Sequence, residues 1–181
     1  MNNYTLIIID MQRGFDASSC KRTQNAIIQE IKLAKKNDCG ILLVEFHRDF
    51  LGKTVNEYGK TLRRLKQHVK EYDRYDIVKK YERDGSGFIE TNLECFNTDF
   101  NTKTFRICGI NSDECVAATV ESLHKIYENS MFEIIVNACN YSDNLPGYNP
   151  FSGYPNSERI KYLIYPEIKK PSDRKALKRF D

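Results

Sequence analysis

Short apolar runs recur along this chain, separated by stretches of helical periodicity, and that alternation restricts the folds open to it. Residues 4–9 read YTLIII, a continuous apolar run of the kind buried on both faces of a parallel sheet. Ile27, Ile31 and Ala34 then recur at helical spacing, and Asn37, Asp38 and Gly40 supply a stop signal. Residues 41–46 (ILLVEF) form a second strand-like run, 76–81 (DIVKKY) a short third, 103–110 a fourth and 132–138 a fifth. Between the last two, Val116, Val120, Leu123 and Tyr127 line one face of a helix. Strand and helix in regular alternation predict an α/β fold: an open, mainly parallel sheet of five or six strands with helices on both faces. In such a sheet the chemistry lies at the C-terminal strand ends.

With 181 residues the chain is read as one domain, 1–181, with a loop-rich, basic C-terminal segment from about residue 142. Leu62, Leu65 and Val69 suggest a narrow apolar helix stripe within the basic stretch 53–74. Lys and Arg total 28 against 25 Asp and Glu, too even a balance for a dedicated nucleic-acid binder. No apolar run reaches the roughly 18 residues that a membrane span requires. The first residues do not read as a signal peptide, so a cytoplasmic location is expected. The six cysteines include no C-x-x-C pair and are expected to be free thiols, with Cys108 and Cys139 as small core residues.

Three polar residues follow buried runs. Asp10 comes directly after the first, where partial desolvation would raise its pKa and suit it to accept a proton; capping of the following loop is the simpler alternative. Lys80 ends the third run, where it could hold a nearby carboxylate ionised. Lys79 takes that place if the register shifts by one, and a solvated lysine is the ordinary reading of either. Cys115 lies five residues beyond the fourth run, in the first turn of the next helix. Free N–H groups there would stabilise a thiolate or an oxyanion; the alternative is an inert buried thiol.

Taken together, LIIIDMQRGF, DIVKKYERDGSGF and GINSDECVAATVESL resemble the isochorismatase-like cysteine hydrolases, a superfamily that includes nicotinamidases. Order and spacing agree over about residues 4–138, except that extra residues separate the lysine from the S-G-F element. The resemblance implies a three-layer, Rossmann-like fold and an Asp10–Lys80–Cys115 triad. It implies cleavage of a small amide through a cysteine thioester, with the backbone N–H groups of Asn111 and Cys115 as oxyanion donors. It also implies a cis peptide at 110–111 and a homo-oligomer acting on a small molecule; from the charge balance and the short apolar runs no nucleic-acid or membrane partner is expected. Vinyl-ether hydrolysis of the isochorismatase type, or a non-catalytic binding protein keeping the fold, are the alternatives.

Metal-binding nicotinamidases carry an Asp-x-His motif after the second strand. In FHRDFLGKT, Asp49 could match the aspartate, but Leu51 stands where the histidine should be. With only His47, His68 and His124 in the chain, no metal site and no cofactor are expected. His124 reads as a helix-surface residue. Phe15, Phe50, Tyr81 and Phe88 are candidates to sandwich a planar substrate, with core packing as the alternative for each. The proline-rich stretch after residue 142 is read as replacing the helix and last strand that the superfamily has there.

Overall fold

The computed structural model describes residues 4–95, 104–141 and 151–164, apart from the side chains of residues 50 and 95. Six parallel strands form the sheet: β1 (Thr5–Ile9), β2 (Gly40–Phe46), β5 (Tyr75–Lys80), β6 (Thr104–Gly109), β7 (Met131–Cys139) and β8 (Ile160–Leu163). Their order is β5-β2-β1-β6-β7-β8, so the chain reverses direction between β1 and β6. That is where an open α/β sheet leaves a crevice at its C-terminal edge.

β1 lacks hydrophobic alternation because both of its faces are covered. Leu6 and Ile8 join one core cluster, and Ile7 and Ile9 join the other. The first cluster lies under α1 (Lys21–Lys36) and α2 (Arg63–Val69), whose Ile27, Ile31, Ala34, Leu65 and Val69 point inward. The second lies under α3 (Ser86–Cys95) and α4 (Ala117–Ile126), through Ile89, Leu93, Val120 and Leu123. Each such aliphatic side chain contributes about 1.5–3 kcal/mol when fully buried. The expected three-layer arrangement is therefore present.

The end of α1 shows how local chemistry stops a helix. Asp38 adopts φ 54°, its N–H donates to Lys35 O, and Cys39 N donates to Ala34 O. These are the two bonds of a Schellman motif, with aspartate in the left-handed position that glycine more often takes.

Besides a short 3-10 turn at Asp16–Ser19, three features went unrecognised in the sequence. One is α3. Another is a small antiparallel hairpin of β3 (Arg48–Phe50) and β4 (Lys53–Val55), turned through Leu51 at φ 52° and Gly52 at φ 73°. Two left-handed residues in succession match the strand twist of a two-residue hairpin. The last is β8, which corrects the reading that a proline-rich loop replaces the final strand. Its four residues lie at the sheet edge, so only Ile160 is buried and no apolar run announces it. Residues 142–150 and 165–181, which hold much of the loop-rich and basic segment, lie outside the described residues. Among the described residues no helix is long and apolar enough to cross a membrane.

Candidate active site

Strands β1, β5 and β6 deliver their last residues to one edge of the sheet. Ile9 is in register with Val44 and Gly109, and Phe46 with Lys80. Asp10 turns out of β1 at φ 55° and keeps its N–H on Val44 O at 2.9 Å. Its carboxylate is 1% exposed and Lys80 is 0% exposed, while Lys79 on the opposite face is in solvent. β1 and β5 flank β2, so roughly 10 Å of sheet lies between them. The lysine stem spans this gap and places Nζ 2.9 Å from Asp10 Oδ2. Nζ also donates to Arg83 O at 2.9 Å and stands 5.7 Å from the Phe46 ring centroid. Gly85 leaves room for the stem, since a Cβ there would lie 3.2 Å from Lys80 Cδ.

Cys115 arrives on a π-helical turn, Ser112–Val116, inserted before α4. The Ile110–Asn111 peptide is cis. Gly109, at φ 130°, passes so close to β1 that a Cβ would lie 2.1 Å from Ile9 O. Asn140 and Tyr154 brace the turn: Ser112 N donates to Asn140 O at 2.9 Å, and Tyr154 Oη donates to Ser112 O at 2.7 Å. Thr119 ties it to the loop after β5, donating to Cys115 O at 2.7 Å and accepting from Gly85 N at 2.9 Å. The structure thus brings Asp10, Lys80 and Cys115 together, with the thiol in hydrogen-bond reach of both partners. Lys80 and Cys115 are the groups that face the Asp10 carboxylate.

Cys115 is 8% exposed. Burial, and next the negative charge of Asp10, push its thiol up to about 12, against a smaller opposing pull from Lys80. The sequence argument that the helix start would favour a thiolate is outweighed. At neutral pH the sulfur keeps its proton and needs a base. Burial also raises Asp10, offset in part by Lys80, which makes the carboxylate a stronger proton acceptor than a solvated one.

The aromatic candidates fall into two groups. Phe15 stacks on Tyr58 with centroids 4.2 Å apart and planes 1° apart, and meets Phe46 edge-on at 6.5 Å. Tyr81 packs against Phe88 at 5.6 Å and His47 at 6.3 Å. Phe50 belongs to β3, and its side chain lies outside the described residues. Sequence reasoning missed Phe46 and Tyr58, although Tyr58 is near enough to Cys115 for their charges to interact. It also missed Gln12, whose amide clamps Phe46 and the 56–59 turn through bonds of 2.6 Å to Phe46 N and to Gly59 O. Gly14 N donates to Tyr58 O at 2.8 Å, and a Cβ on Gly14 would meet Tyr58 Cα at 2.6 Å. The QRGF loop is therefore shaped to hold Tyr58.

Asp49 and Leu51 lie exposed on the hairpin. The carboxylate-x-histidine spacing falls instead at Glu45 and His47, with Glu45 Oε2 and His47 Nε2 3.6 Å apart. Thr61 occupies the remaining side of Glu45. Among the described residues no group of three His, Cys, Asp or Glu could hold a metal ion, so the donor set does not fit one. His124 is committed elsewhere, with Nε2 2.9 Å from Ser157 Oγ.

The sequence profile of the isochorismatase domain matches residues 4–126, which carry all three converging groups. The chain belongs to the isochorismatase family. No curated protein sequence matches it. Solved structures share the isochorismatase-family fold at low identity. A nicotinamidase/pyrazinamidase from Bacillus subtilis is 16% identical, with TM-score 0.66 over 88% of this chain and 98% of that one. An isochorismatase from Pseudomonas putida is 18% identical, with TM-score 0.61 over 81% and 75%. The MAR1 ribonuclease from Caenorhabditis elegans is 20% identical, with TM-score 0.61 over 79% and 67%.

Proposed function

We propose that this isochorismatase-family protein is a metal-independent cysteine hydrolase that cleaves the C–N bond of a small amide. One observation carries the reading: a buried carboxylate paired with a buried ammonium at 2.9 Å, with the Cys115 thiol in reach of both. Asp10 takes the Sγ proton as the sulfur attacks the amide carbonyl carbon. Lys80 offsets the negative charge that then passes from carboxylate to substrate. The N–H groups of Asn111 and Cys115 receive the oxyanion. Asp10 returns the proton to the nitrogen, the C–N bond breaks, and an amine or ammonia leaves a thioester on Cys115. Asp10 next takes a proton from water as it attacks the thioester. The C–S bond breaks, the sulfur recovers the proton, and a carboxylic acid departs.

The direct test is ammonia release from a panel of small primary amides. Intact-mass detection of the acyl-enzyme goes with it, and Cys115→Ala is the control. Turnover and an adduct that both vanish in Cys115→Ala support the reading. Turnover that survives the substitution, or no turnover and no adduct with any amide, overturns it.

A further inference from the structure

Three aromatic rings beside the proposed triad are packed on one another. Phe15, a candidate for one side of a planar-substrate sandwich, has a face covered by Tyr58, with centroids 4.2 Å and planes 1° apart. Carbon faces in contact lie about 3.5–4 Å apart, so a planar ligand held between the two rings would need them about 7–8 Å apart. The slot is filled by the protein's own tyrosine. Phe46 closes its side, edge-on to Phe15 at 6.5 Å and to Tyr58 at 5.6 Å. The same Phe46 ring lies 5.7 Å from Lys80 Nζ, and Tyr58 is within electrostatic reach of Cys115, so the block of rings borders the reacting groups.

Tyr58 is fixed at both ends. Its backbone O accepts from Gly14 N at 2.8 Å, and the next carbonyl, Gly59 O, accepts from the Gln12 amide at 2.6 Å. Its hydroxyl is in hydrogen-bond reach of Glu57, whose Oε1 stands 3.2 Å from Arg48 Nη2 on the β3–β4 hairpin. Swinging the ring aside would forfeit the stack and uncover the apolar face of Phe15. We propose that Tyr58 determines the substrate class of the site: by occupying the face of Phe15 it excludes planar aromatic amides and restricts Cys115 to amides of short aliphatic acids. The ring does this, not the hydroxyl. The amide class rests on the hydrolase reading; the exclusion of a ligand ring by Tyr58 does not.

The test is a ligand-observed NMR titration of the Cys115→Ala protein, with and without Tyr58→Ala. The probes are benzamide and nicotinamide as planar amides and butyramide as a short aliphatic one. With Tyr58→Ala the planar amides should bind about tenfold tighter, because a ligand ring then takes the tyrosine's place on Phe15. Butyramide should gain no comparable factor. Tyr58→Phe keeps the stack and should keep the exclusion, and a cooperative thermal transition shows that each variant is folded. Planar amides that bind equally with and without the tyrosine, or that bind neither protein, overturn the inference. So does a gain shared equally by butyramide, or exclusion lost in Tyr58→Phe. Binding is read without turnover, so the ammonia assay can fail while this result stands. Benzoate release from benzamide by the unsubstituted protein would do the reverse, refuting the role of Tyr58 and supporting the hydrolase.

Discussion

Lys80 Nζ meets Asp10 Oδ2 at 2.9 Å with neither side chain open to solvent, although a whole strand separates the two in the sheet. Breaking such a pair from one side strands a buried charge and costs about 3–5 kcal/mol. Lys80→Met should therefore lower the urea midpoint. Its deficit should shrink in acid, because losing Lys80 raises the Asp10 pKa further and lets the carboxyl take a proton. Adding Asp10→Asn should recover part of the loss. A deficit that does not vary with pH would mean that Asp10 is not the charge left behind.

Burial and Asp10 together hold the Cys115 thiol near 12. Iodoacetamide labelling of Cys115, followed by peptide mass spectrometry, should accelerate about tenfold per pH unit from pH 7 to 10 without a plateau. Asp10→Asn removes the charge that opposes ionisation and should move the profile to lower pH. A plateau near neutrality in the parent protein would reveal a preformed thiolate and leave Asp10 nothing to deprotonate.

The same shift acts on stability. A thiol whose pKa is raised by folding stays protonated where the unfolded chain has already ionised. The stability it contributes is complete below pH 9 and is lost as pH climbs toward 12. Cys139 is also pushed up to about 12. Between pH 8 and 10.5 the unfolding free energy should fall, and Cys115→Ala should remove about 2 kcal/mol of that fall. Urea titrations at the two pH values measure it; equal slopes for both proteins would contradict the assignment.

Two glycines with positive φ should respond differently to alanine. At Gly109 the new Cβ would run into Ile9 O at 2.1 Å, backbone against backbone, whereas at Gly52 it meets nothing within 4 Å. Gly109→Ala should cost more than about 3 kcal/mol, or prevent folding, because β1 and β6 must part. Gly52→Ala should cost about 1 kcal/mol from its left-handed backbone alone. Thermal midpoints of the two variants decide it.

Much of this was legible in the sequence. Unbroken apolar runs marked the central strands because both faces of β1 are covered, whereas the third run left Lys79 and Lys80 as alternatives that only the buried and exposed faces of β5 separate. The aspartate after β1 and the cysteine after β6 were visible as polar breaks at strand ends. Tyr58 and Gln12 were not, because their placement comes from loop-to-loop contacts that leave no periodic trace. The Glu45–His47 spacing was present in the string EFH, but a glutamate inside an apolar run does not stand out as the aspartate of the Asp-x-His motif does. The charge state of Cys115 could not be read either: proximity to a helix start is visible in one dimension, whereas burial beside a carboxylate exists only in three.

β1 sits at the middle of the sheet, with β2 and then β5 on one side and β6, which comes later in the chain, on the other. A chain emerging from a ribosome therefore presents Asp10 and Lys80 well before the segment bearing Cys115 exists. The sulfur acquires its unusual surroundings only when the turn after β6 lies against Asp10 and Lys80, and is an ordinary side chain until then. A polypeptide that stops before β6 can still pair Asp10 with Lys80, but it holds no thiol for that pair to act on.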